Sequence, residues 1–245
     1  MDPQELFNEL IDKSLSGFVY DMAAVVHTIY REKYVCAKLK SRQWFMFDGL
    51  KWCYTEIGPY HDISIHIVGL YENMLSNDME KSDGFSKAEA VVVEPVDQQQ
   101  PAQSHSQPAP QPLSRQQLNE WEICKKRIVR LEMLIAKLKN VTYKESVCRE
   151  AMYLFYNPDF LNRLDKYRHL VCFKNGVLDL HTKEFRIGRR DDYISLYMDD
   201  DYMSPLLASD TSFQQKIEKF MAFRENIIVK RKGSQFKFSI GSEEA

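Results

Sequence analysis

Apolar positions recur at helical spacing in residues 18–35, where Phe18, Met22, Val25, Val26, Ile29 and Tyr30 form one stripe. The pattern predicts an amphipathic helix buried along one side. The period then changes: residues 43–47 and 50–55 are aromatic-rich runs on either side of Asp48-Gly49. A turn pair tolerant of positive φ between such runs predicts a β-hairpin. Helical spacing returns in residues 63–77 through Ile63, Ile67, Leu70, Tyr71, Met74 and Leu75. A longer helix is predicted over 118–139, where Trp121, Ile128 and Ile135 fall seven apart and Cys124, Leu131 and Leu138 follow each by three. That is an a/d seam, which packs within its own domain or pairs with a second copy.

Punctuation divides the rest. Thr142 with Glu145 reads as a capping box opening a helix that buries Val147, Ala151, Leu154 and Phe155. Asn157 before Pro158 starts a further short helix. Val177, Leu178 and Leu180 lead into the polar turn His181-Thr182-Lys183, and Phe185 and Ile187 leave it, which predicts a second antiparallel hairpin. Asn175-Gly176 is read as supplying positive φ ahead of its first strand. Ser212 and Gln215 read as a capping box for a last helix, and Phe236, Phe238 and Ile240 alternate, so the tail reads as a hairpin turning at Lys232-Gly233. Residues 81–117 are rich in Gln, Pro and Ser and cannot bury enough apolar surface to offset their ordering entropy, so they read as a disordered linker. The expected division is 1–80, a subdomain around the aromatic hairpin; 81–117, linker; 118–203, a helical module ending in the second hairpin; and 204–245, a divergent tail. The fold class is α+β, mainly helical, with two or three short antiparallel hairpins.

The 245 residues carry a formal net charge of −2. That excludes a polybasic protein, so any nucleic-acid contact must come from a local patch. Five scattered cysteines, with no CxxC pair, read as reduced buried thiols with no metal and no cofactor. The N-terminal residues lack a signal-peptide pattern and no apolar run approaches a membrane span, so the expectation is a soluble, unsecreted protein without membrane contact. His27, beside the first helical stripe, reads as an ordinary satisfied or exposed side chain.

Residues Phe173, Asn175, Gly176, Val177, Asp179, Leu180, Thr182, Phe185, Arg186, Gly188, Asp192, Tyr193 and Ile194 fit the form F-x-N-G-V-x-D-L-x-T-G-x-F-R-x-G-x-x-x-D-Y-I. This segment resembles the one that closes the module preceding the helicase in the poxvirus-type primase-helicases of large nucleocytoplasmic DNA viruses, and in related phage and plasmid primases. Lys183 stands where the pattern has a turn glycine, which leaves the turn type open. A second stretch, Tyr34, Val35, Cys36, Lys40, Trp44, Phe45, Phe47 and Trp52, is similar to the region following the primase domain in the same family. Together the likeness covers residues 18–75 and 118–203. It implies a role in viral DNA replication, DNA and a helicase or primase subunit as partners, and a cytoplasmic replication site.

No GxxxxGK[ST] occurs in the sequence, so a phosphate cradle for ATP is not written here. Asp199-x-Asp201 has the spacing of a two-carboxylate metal site, and Ser64-Ile65-His66 resembles the Ser-x-His step of archaeo-eukaryotic primases, but those enzymes place the aspartates first. The expectation is therefore a non-catalytic module with no catalytic residues. Candidate contacts to single-stranded or forked DNA are Lys174, Arg186, Arg189 and Arg190 around the second hairpin, with stacking on Trp44 and Trp52. Lys125, Lys126, Arg127 and Arg130 on the seam helix are read either as a solvated face or as a phosphate-binding stripe. The aromatic rings carry their own alternative, the core of a small domain. The competing class is a protein-interaction scaffold that self-associates through helix 118–139 without touching DNA.

Overall fold

The computed structural model describes residues 2–93, 114–202 and 211–233. It is α+β, with two small three-stranded antiparallel sheets among helices. Its contacts form two units that interleave along the chain, Met1–Ile29 with Pro59–Leu154, and Tyr30–Gly58 with Phe155–Ala245. This differs from the division by chain order, because the aromatic hairpin groups with the second hairpin and not with the helices on either side of it.

The first unit is helical: α1 (Pro3–Ser14), α2 (Val19–Tyr30), a short α3 (Tyr60–Asp62), a π-helical turn at Ile63–Ile67, α4 (Val68–Val93), α5 (Arg115–Leu138) and α6 (Val141–Leu154). Asp2 caps α1 by accepting from the Gln4 N–H, with Pro3 in the first turn. The stripe of α2 buries Met22, Ala23, Val25 and Val26. The α5 seam buries Leu131, Leu134, Ile135 and Leu138 against this unit's own interior, α4 included. Each such leucine contributes about 2 kcal/mol of burial. The C-terminal half of the seam is therefore packed inside the unit, while Trp121, Cys124 and Ile128 of its first half are only partly buried.

Three boundaries differ from the pattern reading. Helix α4 runs on to Val93, well into the stretch read as linker: the first proline there is Pro95, and Asp83-Gly84, a turn signal in isolation, is absorbed into the helix; residues 94–113 lie outside the described residues. Ser114 opens α5 with a true capping box, exchanging bonds with Gln117. Asn140, not Thr142, caps α6 by accepting from the Tyr143 N–H, leaving Thr142 inside the first turn.

The second unit holds both sheets. In the first, β1 (Tyr34–Lys38), β2 (Gln43–Phe47) and β3 (Trp52–Thr55) lie in that order. Strand β1 is where the pattern reading extended the preceding helix. The Asp48 carboxylate accepts from the N–H groups of Leu50 and Lys51, and Gly49 alone takes positive φ, 100°. In the second sheet β4 (Leu170–Phe173), β5 (Gly176–Asp179) and β6 (Glu184–Arg186) form a meander, with Phe173 opposite Gly176 and Asp179 opposite Glu184. Its strands are apolar on both faces. Leu170, Cys172 and Val177 pack with Ile194 and Leu50, whereas Val171, Phe173 and Leu178 pack with Met198 and with Ile217, Phe220 and Met221 of α8 (Thr211–Gly233). A short α7 (Phe160–Arg163) seats Phe160 among Val35, Phe45 and Trp52. Helix α8 continues through Lys232 and Gly233, so the expected tail turn is not there, and Phe236, Phe238 and Ile240 lie outside the described residues.

All five cysteines are free thiols. Burial pushes Cys36 up to about 11 and Cys172 up to about 12, so both stay protonated and inert at neutral pH.

Candidate nucleic-acid interface

The motif residues around the second hairpin have structural partners at almost every position. Asn175 exchanges side-chain hydrogen bonds with the backbone of Tyr202, accepting from its N–H at 2.9 Å and donating to its carbonyl at 3.1 Å. Gly176 does not take positive φ, contrary to expectation. A Cβ there would lie 2.5 Å from the Phe185 ring and 2.7 Å from the Arg186 carbonyl, so the glycine is required for close approach. The Asp179 carboxylate accepts from the N–H groups of His181 and Thr182 and builds the turn. Gly188 lies against the backbone of Leu50, where a Cβ would clash at 2.1 Å. Arg186 grips Asp192 through two bonds of 2.8 and 2.7 Å, and Asp192 also accepts from the Arg189 N–H. That bidentate pair is largely out of solvent, with side chains 16% and 8% exposed.

Asp165, which sequence reasoning did not single out, fastens the same region. It is buried at φ 59°, and its carboxylate accepts from the Ser195 and Leu196 N–H groups and the Ser195 hydroxyl. The signature is therefore a clamp: it joins the two sheets of this unit through backbone contacts and one ion pair.

The clamp changes the standing of the candidate DNA contacts. Trp44 and Trp52 are 3% and 1% exposed. Trp44 meets Phe155 and Tyr34 edge-on, and Trp52 donates its indole N–H to the Arg190 carbonyl. Neither ring offers a face to a base, which corrects the stacking expectation in favour of the core reading. Arg186 is committed to Asp192, Arg190 to Glu32 and Lys174 to Asp199. Arg189 alone among the four hairpin cations makes no ion pair among the described residues. Asp200 pairs with Lys216, so the acidic run at Asp199 to Asp201 reads as surface ion pairing. Ser64 sits in the π-helical turn, donating to the Tyr60 carbonyl and accepting from Lys144, while His66 faces Asp62 at 3.8 Å. These are packing contacts among helices.

On α5 the four candidates separate. Lys125 lies over the Trp121 ring at 3.2 Å, and Arg127 pairs with Asp78 and Asp12. Lys126 and Arg130 are exposed and make no ion pair or side-chain hydrogen bond among the described residues. Lys137, absent from the sequence candidates, continues their line, since positions 126, 130 and 137 fall on one helical stripe. Its spacing of four and then seven was a readable signal. Arg130 and Lys137 border a cleft of about 390 Å³ with Asp12 and Lys13 at the end of α1 and Ser16 and Gly17 of the α1–α2 connection. Gly17 has φ 73°, and a Cβ there would meet the Lys137 amine at 2.6 Å, so the glycine keeps room for that lysine. One wall of this helical unit thus carries a run of available cations beside a cleft.

The D5 N terminal like family model matches residues 23–227. The chain belongs to this family. The resemblance read in the two motif stretches is thereby confirmed, and both lie within the match. The protein named "Putative helicase L207/L206" of Acanthamoeba polyphaga mimivirus is 28% identical over 240 residues, covering 93% of this chain and 22% of that protein. "Putative helicase 121R" of Invertebrate iridescent virus 3 is 41% identical over 61 residues, 25% of this chain and 6% of the relative. "Putative helicase 022R" of Frog virus 3 is 26% identical over 178 residues, 71% of this chain and 18% of the relative. The chain spans about a fifth or less of the length of these relatives. No described helix is long and apolar enough to cross a membrane.

Proposed function

We propose that this D5 N terminal like module serves viral DNA replication as a non-catalytic element that binds single-stranded or forked DNA through the α5 face of its helical unit. The family match over residues 23–227, with relatives named as helicases, carries the reading. The geometry favours α5 as the place: Lys126, Arg130 and Lys137 are exposed, aligned and without an ion pair among the described residues, whereas Lys13 at the cleft is paired with Glu9. Backbone phosphates need such an unspent row of cations more than they need any sequence-reading group. The sequence contains no phosphate-cradling loop, so the motor chemistry belongs, on this reading, to a helicase partner or to further domains of the kind the longer relatives have room for.

The test is a titration of labelled single-stranded and forked DNA from about 50 to 200 mM salt. Wild-type affinity should fall steeply with salt. The Lys126→Ala/Arg130→Ala/Lys137→Ala variant should lower the log–log slope by about 2, since single strands release roughly 0.7 counterion per phosphate contact. Absence of binding at low salt would overturn the DNA reading and leave docking onto a helicase partner as the role. An unchanged slope in the variant would move the interface off α5.

A further inference from the structure

The turn of the second hairpin gathers a set of metal-ligand side chains that charge patterning along the chain does not show. His169 stands immediately before β4, Asp179 ends β5, and His181 lies in the turn that follows. His169 and Asp179 are ten residues apart, but the register sets Leu170 opposite Asp179, and the Leu180 N–H donates to the His169 carbonyl at 2.8 Å. One ligand atom from each of the three side chains lies within 4.8 Å of the others. The two imidazoles are stacked, with centroids 4.3 Å apart and planes 10° from parallel. The Asp179 Oδ1 holds the turn N–H groups, and its Oδ2 has no hydrogen-bond partner among the described residues.

From this juxtaposition we propose that His169, Asp179 and His181 form a site for a divalent transition ion of the zinc class. Two imidazole nitrogens and a carboxylate oxygen make a ligand set that zinc accepts, with water completing a tetrahedron. Zinc bonds of about 2.0–2.1 Å bring ligand atoms to roughly 3.3 Å of one another. Reaching that spacing requires the rings to turn out of the stack so that their lone pairs converge. His181 is free to make that turn because it is exposed in the loop, whereas His169 and Asp179 are half-buried and hold the frame.

Glu184 stands directly opposite Asp179 in the β5–β6 register and places a further carboxylate on the neighbouring strand. Arg186, two residues further on the same strand face, has its guanidinium committed to Asp192. A bound dication would tie the start of β4 to the hairpin turn. Scanning the chain for ligand spacing finds no such site because the third ligand arrives through strand register.

The experiment uses the whole 245-residue chain, freed of metal with a chelator and titrated with Zn²⁺ by calorimetry and with Co²⁺ by visible absorption. One equivalent should bind, with a tetrahedral Co²⁺ band, and the unfolding temperature should rise on loading. His181→Ala, a surface change that leaves the sheet intact, should weaken binding at least tenfold, and His169→Ala likewise. His61→Ala and His66→Ala, remote from the turn, should bind as wild type. Failure to bind one equivalent at submillimolar metal, or binding that survives loss of both His169 and His181, would overturn the site. Binding lost only on changing His105, outside the described residues, would do the same.

Discussion

Lys183 adopts φ 58°, the left-handed conformation that a β-carbon disfavours by roughly 1–2 kcal/mol. The family pattern has glycine at this position, so the lysine keeps the turn's backbone while bearing its strain. Lys183→Gly should raise stability by about 0.5–1 kcal/mol after the glycine's extra unfolded-state entropy is subtracted. For a chain of this length that is an increase of about 1–4 °C in unfolding temperature, read by circular dichroism; a decrease would show that the lysine side chain contributes more than the strain costs. The same residue scale separates what sequence could and could not supply. The motif glycines and aspartates were legible as fixed positions, but their reasons were not. Gly176 and Gly188 are small because backbone and ring atoms from other segments lie against them, and Arg186 is charged because Asp192 faces it. A charge in a sequence shows no partner, so internal ion pairs and phosphate contacts look alike until the fold is known.

At the scale of elements, helices α1 and α4 are joined by a buried hydroxyl pair. Ser14 donates to the Ile11 carbonyl, and the Tyr71 hydroxyl lies 2.5 Å from Ser14 Oγ with its ring fully buried. Burial pushes the Tyr71 phenol up to about 12, so it remains a donor across the physiological range. Tyr71→Phe leaves Ser14 still bonded to Ile11 and should cost about 1 kcal/mol. Ser14→Ala strands the phenol in the core and should cost more, about 1–3 kcal/mol. Denaturant midpoints for the two variants give the order directly, and the reverse order would show that Tyr71 has another partner. Element types with strong periodicity were readable: α2, α5, the aromatic hairpin and the second hairpin all stand where their patterns predict. Helix α1 and strand β1 were not read, the first because its apolar positions are sparse and the second because Tyr34 and Val35 extend a helical stripe without interruption. Tertiary pairing of β1 with β2 overrides that local signal.

For the whole molecule, the interleaving of the two units explains why the candidate site moved. The chain leaves the helical unit at Tyr30, builds the first sheet, returns at Pro59, and completes the second unit only after Phe155. Trp44 and Trp52 therefore acquire their covering residues from a segment more than a hundred positions later, and surface-like aromatics in the sequence become core in the fold. The central claim is that the signature segment builds the fold while the available cations lie on α5. DNA titration of the Arg186→Met/Asp192→Asn variant, at a temperature where it remains folded, tests this most directly; the amide introduced at position 192 can still accept the Arg189 N–H. The expected result is wild-type affinity and an unchanged salt slope, with loss confined to stability. A weaker affinity with a slope lowered by about 0.7 would place Arg186 on the phosphates and contradict it.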